Sequence, residues 1–64
     1  MLERREWTGE RIRAIRLAMG LSQERFAHEI GSTFATINRW ENNKQHPQEL
    51  GRRALERMEK KVSK

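Results

Sequence analysis

Cysteine is absent from this 64-residue chain, as are aspartate and tyrosine, and there is a single proline. Without cysteine, neither a disulfide framework nor a thiolate-ligated metal site can supplement a small core. His28 and His46 lie far apart in sequence with no Cys or Asp to complete a ligand set, so no metal and no cofactor are expected. No apolar run reaches the roughly 18 residues of a membrane span. The stretch Met1 to Glu6 also lacks the hydrophobic segment of a signal peptide. The expectation is a soluble, cytoplasmic protein without a membrane partner. Ser22, Ser32 and Thr33 have no candidate base or oxyanion hole beside them, and no acid-base pair emerges, so no catalytic residue and no enzyme activity are expected.

Apolar residues make up only 34% of the chain, and a domain of this length buries about 60% of its unfolded surface. One domain, residues 1–64, is therefore expected, held by helix packing and optionally by a partner subunit. Charge is the abundant commodity. Fourteen Lys and Arg against nine Glu give a formal charge of +5, which favours a polyanionic partner. Arg supplies most of these cations, and its planar fork suits phosphates and guanine edges. Charge alone leaves DNA, RNA and an anionic membrane open.

Strand-like alternation never persists, so the chain reads as all helical. A first helix is predicted from about Gly9 to Met19. Thr8 is its cap, Trp7 and Ile12 its hydrophobic staple, and Ile12, Ile15 and Met19 its apolar stripe with Leu17 at the flank. Gly20 ends it. Ser22 caps a second helix, which carries Glu24 in its first turn, Leu21 and Phe26 as a staple, and Phe26, Ala27 and Ile30 as its buried face. Gly31 stops this helix within a tight turn, and Ser32 or Thr33 caps a third. There Ile37, Trp40 and Glu41 share one face, and Phe34, Ala35, Asn38, Arg39 and Asn42 the other. Asn43 suits a left-handed conformation in the following loop. Pro47 suits the first turn of a fourth helix running to about Lys60, with Leu50, Ala54, Leu55 and Met58 as its apolar side. Leu2 and Val62 are candidates to extend that face into an interface with a second copy. Glu10, Glu24, Glu29, Glu49, Glu56 and Glu59 read as solvated helix charges.

Between Gln23 and Asn42 these features form one pattern. Ala27 is the small residue where two helices approach, Gly31 supplies the turn, and Phe26, Ile30, Ile37 and Trp40 pin the second helix on the first. The run Gly20-Leu21-Ser22-Gln23-Glu24-Arg25-Phe26-Ala27-His28-Glu29-Ile30-Gly31, followed by Ser32-Thr33-Phe34-Ala35-Thr36-Ile37-Asn38-Arg39-Trp40-Glu41-Asn42, resembles the lambda-repressor-like helix-turn-helix family of phage repressors, Cro and xenobiotic-response-element regulators. The likeness extends from about Ile12 to Pro47.

That resemblance implies an all-α bundle of about five short helices, of which this chain has room for four, the fifth being missing or fused into the fourth. It also implies a prokaryotic or phage-encoded repressor that binds double-stranded operator DNA, often as a homodimer. Gln23 matches the family's phosphate-contacting glutamine, and Asn42 and Lys44 match positions that commonly hold phosphates. Thr33, Phe34, Ala35 and Arg39 match positions facing base edges, with Thr36 and Asn38 beside them. Arg39 has the chemistry for a bidentate contact to guanine, and Phe34 and Ala35 that for thymine methyls. The resemblance further pairs Arg16 with Glu41 in a partly buried ion pair. Because fold does not fix function, the same surface also suits an antitoxin that binds a toxin, or an adapter docking another protein through Phe34. RNA ranks behind both, for want of an exposed aromatic pair.

Overall fold

The computed structural model describes residues 7–63. Leu2, Lys64 and the other five residues ahead of Trp7 lie outside the described residues, and with them the ends of the expected 1–64 domain. Four helices follow one another without a strand among the described residues: α1 (Gly9–Ala18), α2 (Gln23–Ile30), α3 (Phe34–Glu41) and α4 (Glu49–Val62). No fifth helix is present among them.

The helix starts are chemically marked. Thr8, Ser22 and Thr33 each adopt extended backbone, and each hydroxyl accepts from the N–H three residues on, at Arg11, Arg25 and Thr36. Each satisfies a donor that the first turn leaves without a carbonyl. The stops are equally local. Gly20 and Gly31 take φ values of +71° and +83°, and Asn43 takes +58°, conformations that favour Gly and Asn because a bulkier Cβ crowds the backbone.

Ile12, Phe26, Ile37 and Leu55, one from each helix, are completely buried. Around this centre lie Trp7, Ile15, Ala27, Trp40 and Met58, with Met19, Leu21, Ile30 and Val62 half-buried at its rim. Both tryptophans are thus core side chains. Trp40 Nε1 is buried without a hydrogen-bond partner among the described residues, and nothing in the packing explains it.

Three expectations need correcting. Pro47 is not in the first turn of α4; that helix starts at Glu49 after the extended Gln48, and it runs to Val62. Pro47 is instead buried, against the contact between Gly51 and the Trp40 ring. That packing closes the end of the core that Leu50 was expected to cover, and Leu50 is left 81% exposed. It stands at the mouth of an open groove lined by Ile30, Trp40, Gly51 and Ala54. Glu59, thirdly, is not a solvated charge. Arg11 donates to its two carboxylate oxygens at 3.0 and 2.8 Å, and the same guanidinium lies 3.6 Å from the centre of the Trp7 ring. This clasp ties the start of α1 to the last turns of α4.

Candidate nucleic-acid interface

An eight-residue helix is too short to persist alone in water, so α3 holds its shape and direction through what grips it. Ile37 and Trp40 face the core. Positions 34, 35, 38, 39 and 42 follow the i, i+4 spacing of the opposite face. On that outer face Phe34 is 53% exposed, Ala35, Arg39 and Asn42 are exposed, and Asn38 is half-buried. The Arg39 side chain makes no hydrogen bond or ion pair with any described residue, in contrast to those of Arg11, Arg13, Arg16, Arg52 and Arg53. An unpartnered guanidinium on an exposed helix face keeps all of its donors available to a ligand.

The other site candidates lie around this face. The Thr33 hydroxyl is committed to capping: it accepts from the Thr36 N–H and donates to the Thr36 hydroxyl at 3.0 Å. Thr36 is half-buried and borders the groove beside Trp40, away from the stripe of Phe34, Asn38 and Asn42. Lys44 is exposed just beyond α3, with its backbone N–H donating to Arg39 O at 2.9 Å. The Asn42 side-chain amide donates back to Asn38 O and Oδ1, so its N–H groups are occupied within the helix.

Beneath the outer face is a buried carboxylate. Glu41 has no exposed side-chain surface, and its Oε2 accepts from Arg16 Nε at 2.7 Å. Its Oε1 accepts from Arg16 Nη2 and from Gln23 Nε2, each at 3.0 Å, and from Arg13 Nε at 3.4 Å. Arg16 Nη1 donates to Leu21 O at 3.0 Å, which satisfies the far side of the guanidinium. Burial pushes the Glu41 carboxyl up, but the hydrogen bonds from Arg16 and Gln23, the Arg16 charge and the Arg13 contact together bring it below the usual glutamate range. The hydrogen bond to Glu41 likewise raises Arg16 above its ordinary value. Glu41 therefore remains ionised and joins α1, α2 and α3 at one point.

Two further residues hold α3, Gly9 and Asn43; the sequence pattern marked Asn43 for its turn but gave no sign of the role of Gly9. A Cβ at Gly9 would overlap the carbonyl of Glu41 and press on that of Trp40, so only glycine lets α1 start directly against the end of α3. The Gly9 N–H donates to Asn43 Oδ1 at 2.9 Å. Asn43 therefore serves both the left-handed turn and the start of α1. Gln23 was expected at a phosphate, yet its side chain lies between Glu41 and Asn38, whose Nδ2 donates to Gln23 Oε1 at 3.3 Å.

The chain matches the helix-turn-helix family over residues 12–50, more than half of its length. It belongs to the lambda-repressor-like helix-turn-helix family. Domains of this family bind DNA, so DNA is the partner class of this chain. No curated protein and no solved structure matches the chain. No helix among the described residues is long and apolar enough to cross a membrane. They also hold no cluster of side chains that could bind a metal ion.

Proposed function

We propose that this protein is a transcriptional regulator, acting as a repressor, that reads a short double-stranded operator with α3 in the major groove. The observation that carries the reading is the free Arg39 guanidinium beside exposed Phe34 and Ala35 on the face of α3 that points away from the core. Arg39 has the fork for guanine O6 and N7, while Phe34 and Ala35 offer apolar surface to thymine methyls. Thr33, Thr36 and Asn38 flank these contacts. The N–H groups at the start of α2, together with Gln23 and Lys44, approach the phosphates and set the register; Asn42, whose amide N–H groups are held by Asn38, is not among these contacts. Two copies on one operator would place their recognition helices about 34 Å apart.

The test is selection of bound sites from random duplex DNA, followed by titration of the selected site across salt concentrations. Affinity should fall as salt rises, with a slope that counts released counterions. Arg39→Ala should lower discrimination at one guanine by about 5- to 150-fold while binding to unselected DNA changes far less. Unchanged preference in that variant would remove Arg39 as the reading residue. A chain that selects no duplex but captures a toxin or other protein through Phe34 would support the interaction-module reading instead.

A further inference from the structure

The Gln23 side chain raises a question that phosphate contact does not answer. A carboxylate only accepts hydrogen bonds, whereas a carboxamide has one donating and one accepting end. Because Glu41 is ionised and buried, the end of Gln23 that meets it at 3.0 Å must be the NH2 group. The Gln23 oxygen is thereby turned toward α3, where it accepts from Asn38 Nδ2 at 3.3 Å. Asn38 in turn must direct its oxygen along the helix, and that oxygen accepts from Asn42 Nδ2 at 3.2 Å. Each amide orientation follows from the one before it, and the series begins at a group that cannot reverse. Reversing Asn38 would set oxygen against Gln23 Oε1 and NH2 against Asn42 NH2, losing both bonds.

We infer that Gln23 is a positioning residue: it transmits the polarity of the buried Glu41 carboxylate to Asn38, and so makes Asn38 the adenine-reading side chain of α3. After its bonds to Gln23 and Asn42, the half-buried Asn38 amide retains one N–H and one oxygen lone pair. Those are the complements of adenine N7 and N6–H2 in the major groove. The inference rests on the proposed placement of α3 in that groove. It goes beyond it by naming which base Asn38 reads and which residue fixes the reading.

The experiment compares the full chain with the Gln23→Leu, Asn38→Ala and Gln23→Glu variants on the site that the wild type selects, each variant first checked for a cooperative melt. The wild type should prefer adenine to guanine at one position of that site by about 5- to 150-fold. Asn38→Ala should abolish that preference. Gln23→Leu should reduce it to within about threefold, with the guanine preference due to Arg39 retained, and combining Gln23→Leu with Asn38→Ala should lose no more than Asn38→Ala alone.

Gln23→Glu separates positioning from phosphate contact and stands in where Gln23→Leu fails to fold. At neutral pH its carboxylate faces Glu41, with Arg16 and Arg13 around them, and cannot donate. Repulsion by Glu41 raises its pKa, and on protonation the acid regains the donor and acceptor pattern of the amide. Its adenine preference should therefore return as the pH is lowered, while that of the wild type stays level. His28 and His46 are present in both proteins, so the comparison removes their contribution. A Gln23 variant that weakens every sequence equally and keeps the adenine preference at all pH values would overturn the inference. A wild type that selects no sequence would instead overturn the placement of α3 itself.

Discussion

Removing the Glu41 carboxylate tests the core of the structural argument. In Glu41→Ala, Arg16, whose side chain is only 13% exposed, would lose the anion that neutralises it. Stranding one member of a buried ion pair costs about 3–5 kcal/mol. A chain of 64 residues has a total stability of only about 3–10 kcal/mol. At about 4–8 °C per kcal/mol for a domain of this size, the melting temperature should fall by about 12–40 °C. Glu24→Ala is the control, since that exposed glutamate contributes only about 0.3–1 kcal/mol at a helix start. Thermal melts followed by helical circular dichroism at neutral pH give both values, and equal, small shifts would refute the buried pairing. Acid offers an independent check. The folded Glu41 pKa lies below its unfolded value, so its contribution is complete above the unfolded value of about 4.3 and is lost as pH falls through the folded one. Wild-type stability should therefore decline below about pH 4.3 with a component that Glu41→Ala lacks.

Gly9→Ala should destabilise by about 2 kcal/mol or more despite alanine's better helix propensity, because the added methyl overlaps the Glu41 carbonyl; a rise in melting temperature would show that α1 can move off α3. The same variant should weaken binding to the selected operator, since Glu41 and Trp40 end the recognition helix. Glu59→Gln should cost about 1–2 kcal/mol in a urea titration by weakening the two-pronged bond from Arg11, whereas Glu49→Gln, whose bond to Arg53 lies on the exposed surface of α4, should change stability by less than about 0.5 kcal/mol. Equal effects would mean that the Arg11 clasp adds nothing beyond an ordinary surface pair.

What was legible in the sequence is what is decided within a few residues. Thr8, Ser22 and Thr33 announce helix starts because a hydroxyl reaches only to the N–H three positions on. Gly20, Gly31 and Asn43 announce turns because their own backbone adopts φ > 0. The inward faces of α2 and α3 were readable from spacing. What was missed depended on packing between elements, in most cases with a partner distant in sequence. Leu50 has the spacing of a core residue, but whether the core extends that far depends on where Pro47 packs. Glu59 looks like any surface glutamate until α1 brings Arg11 beside it, 48 positions away. Gly9 passes for an ordinary helix start until the end of α3 lies against it. Gln23 was read through resemblance, which supplied a DNA contact but no view of the amide's intramolecular partners.

Glu41 did carry a local signal. A negative charge in the last turn of a helix opposes the macrodipole, and here that turn also packs against the core, where an unpaired carboxylate would be costly. Such a residue requires a cation from elsewhere, and Arg16 and Arg13 supply two from α1. The arrangement makes folding and recognition inseparable at this point. The carboxylate that fixes α3 against α1 and α2 also determines which end of Gln23 faces α3, and through it the orientation of Asn38. A purely apolar residue at position 41 with compensating changes at Arg16 and Arg13 could restore stability, since well-packed apolar groups often replace a buried ion pair without loss. It would leave Gln23 with no acceptor to fix its orientation. Stability and adenine preference should then separate, the first recovering and the second not.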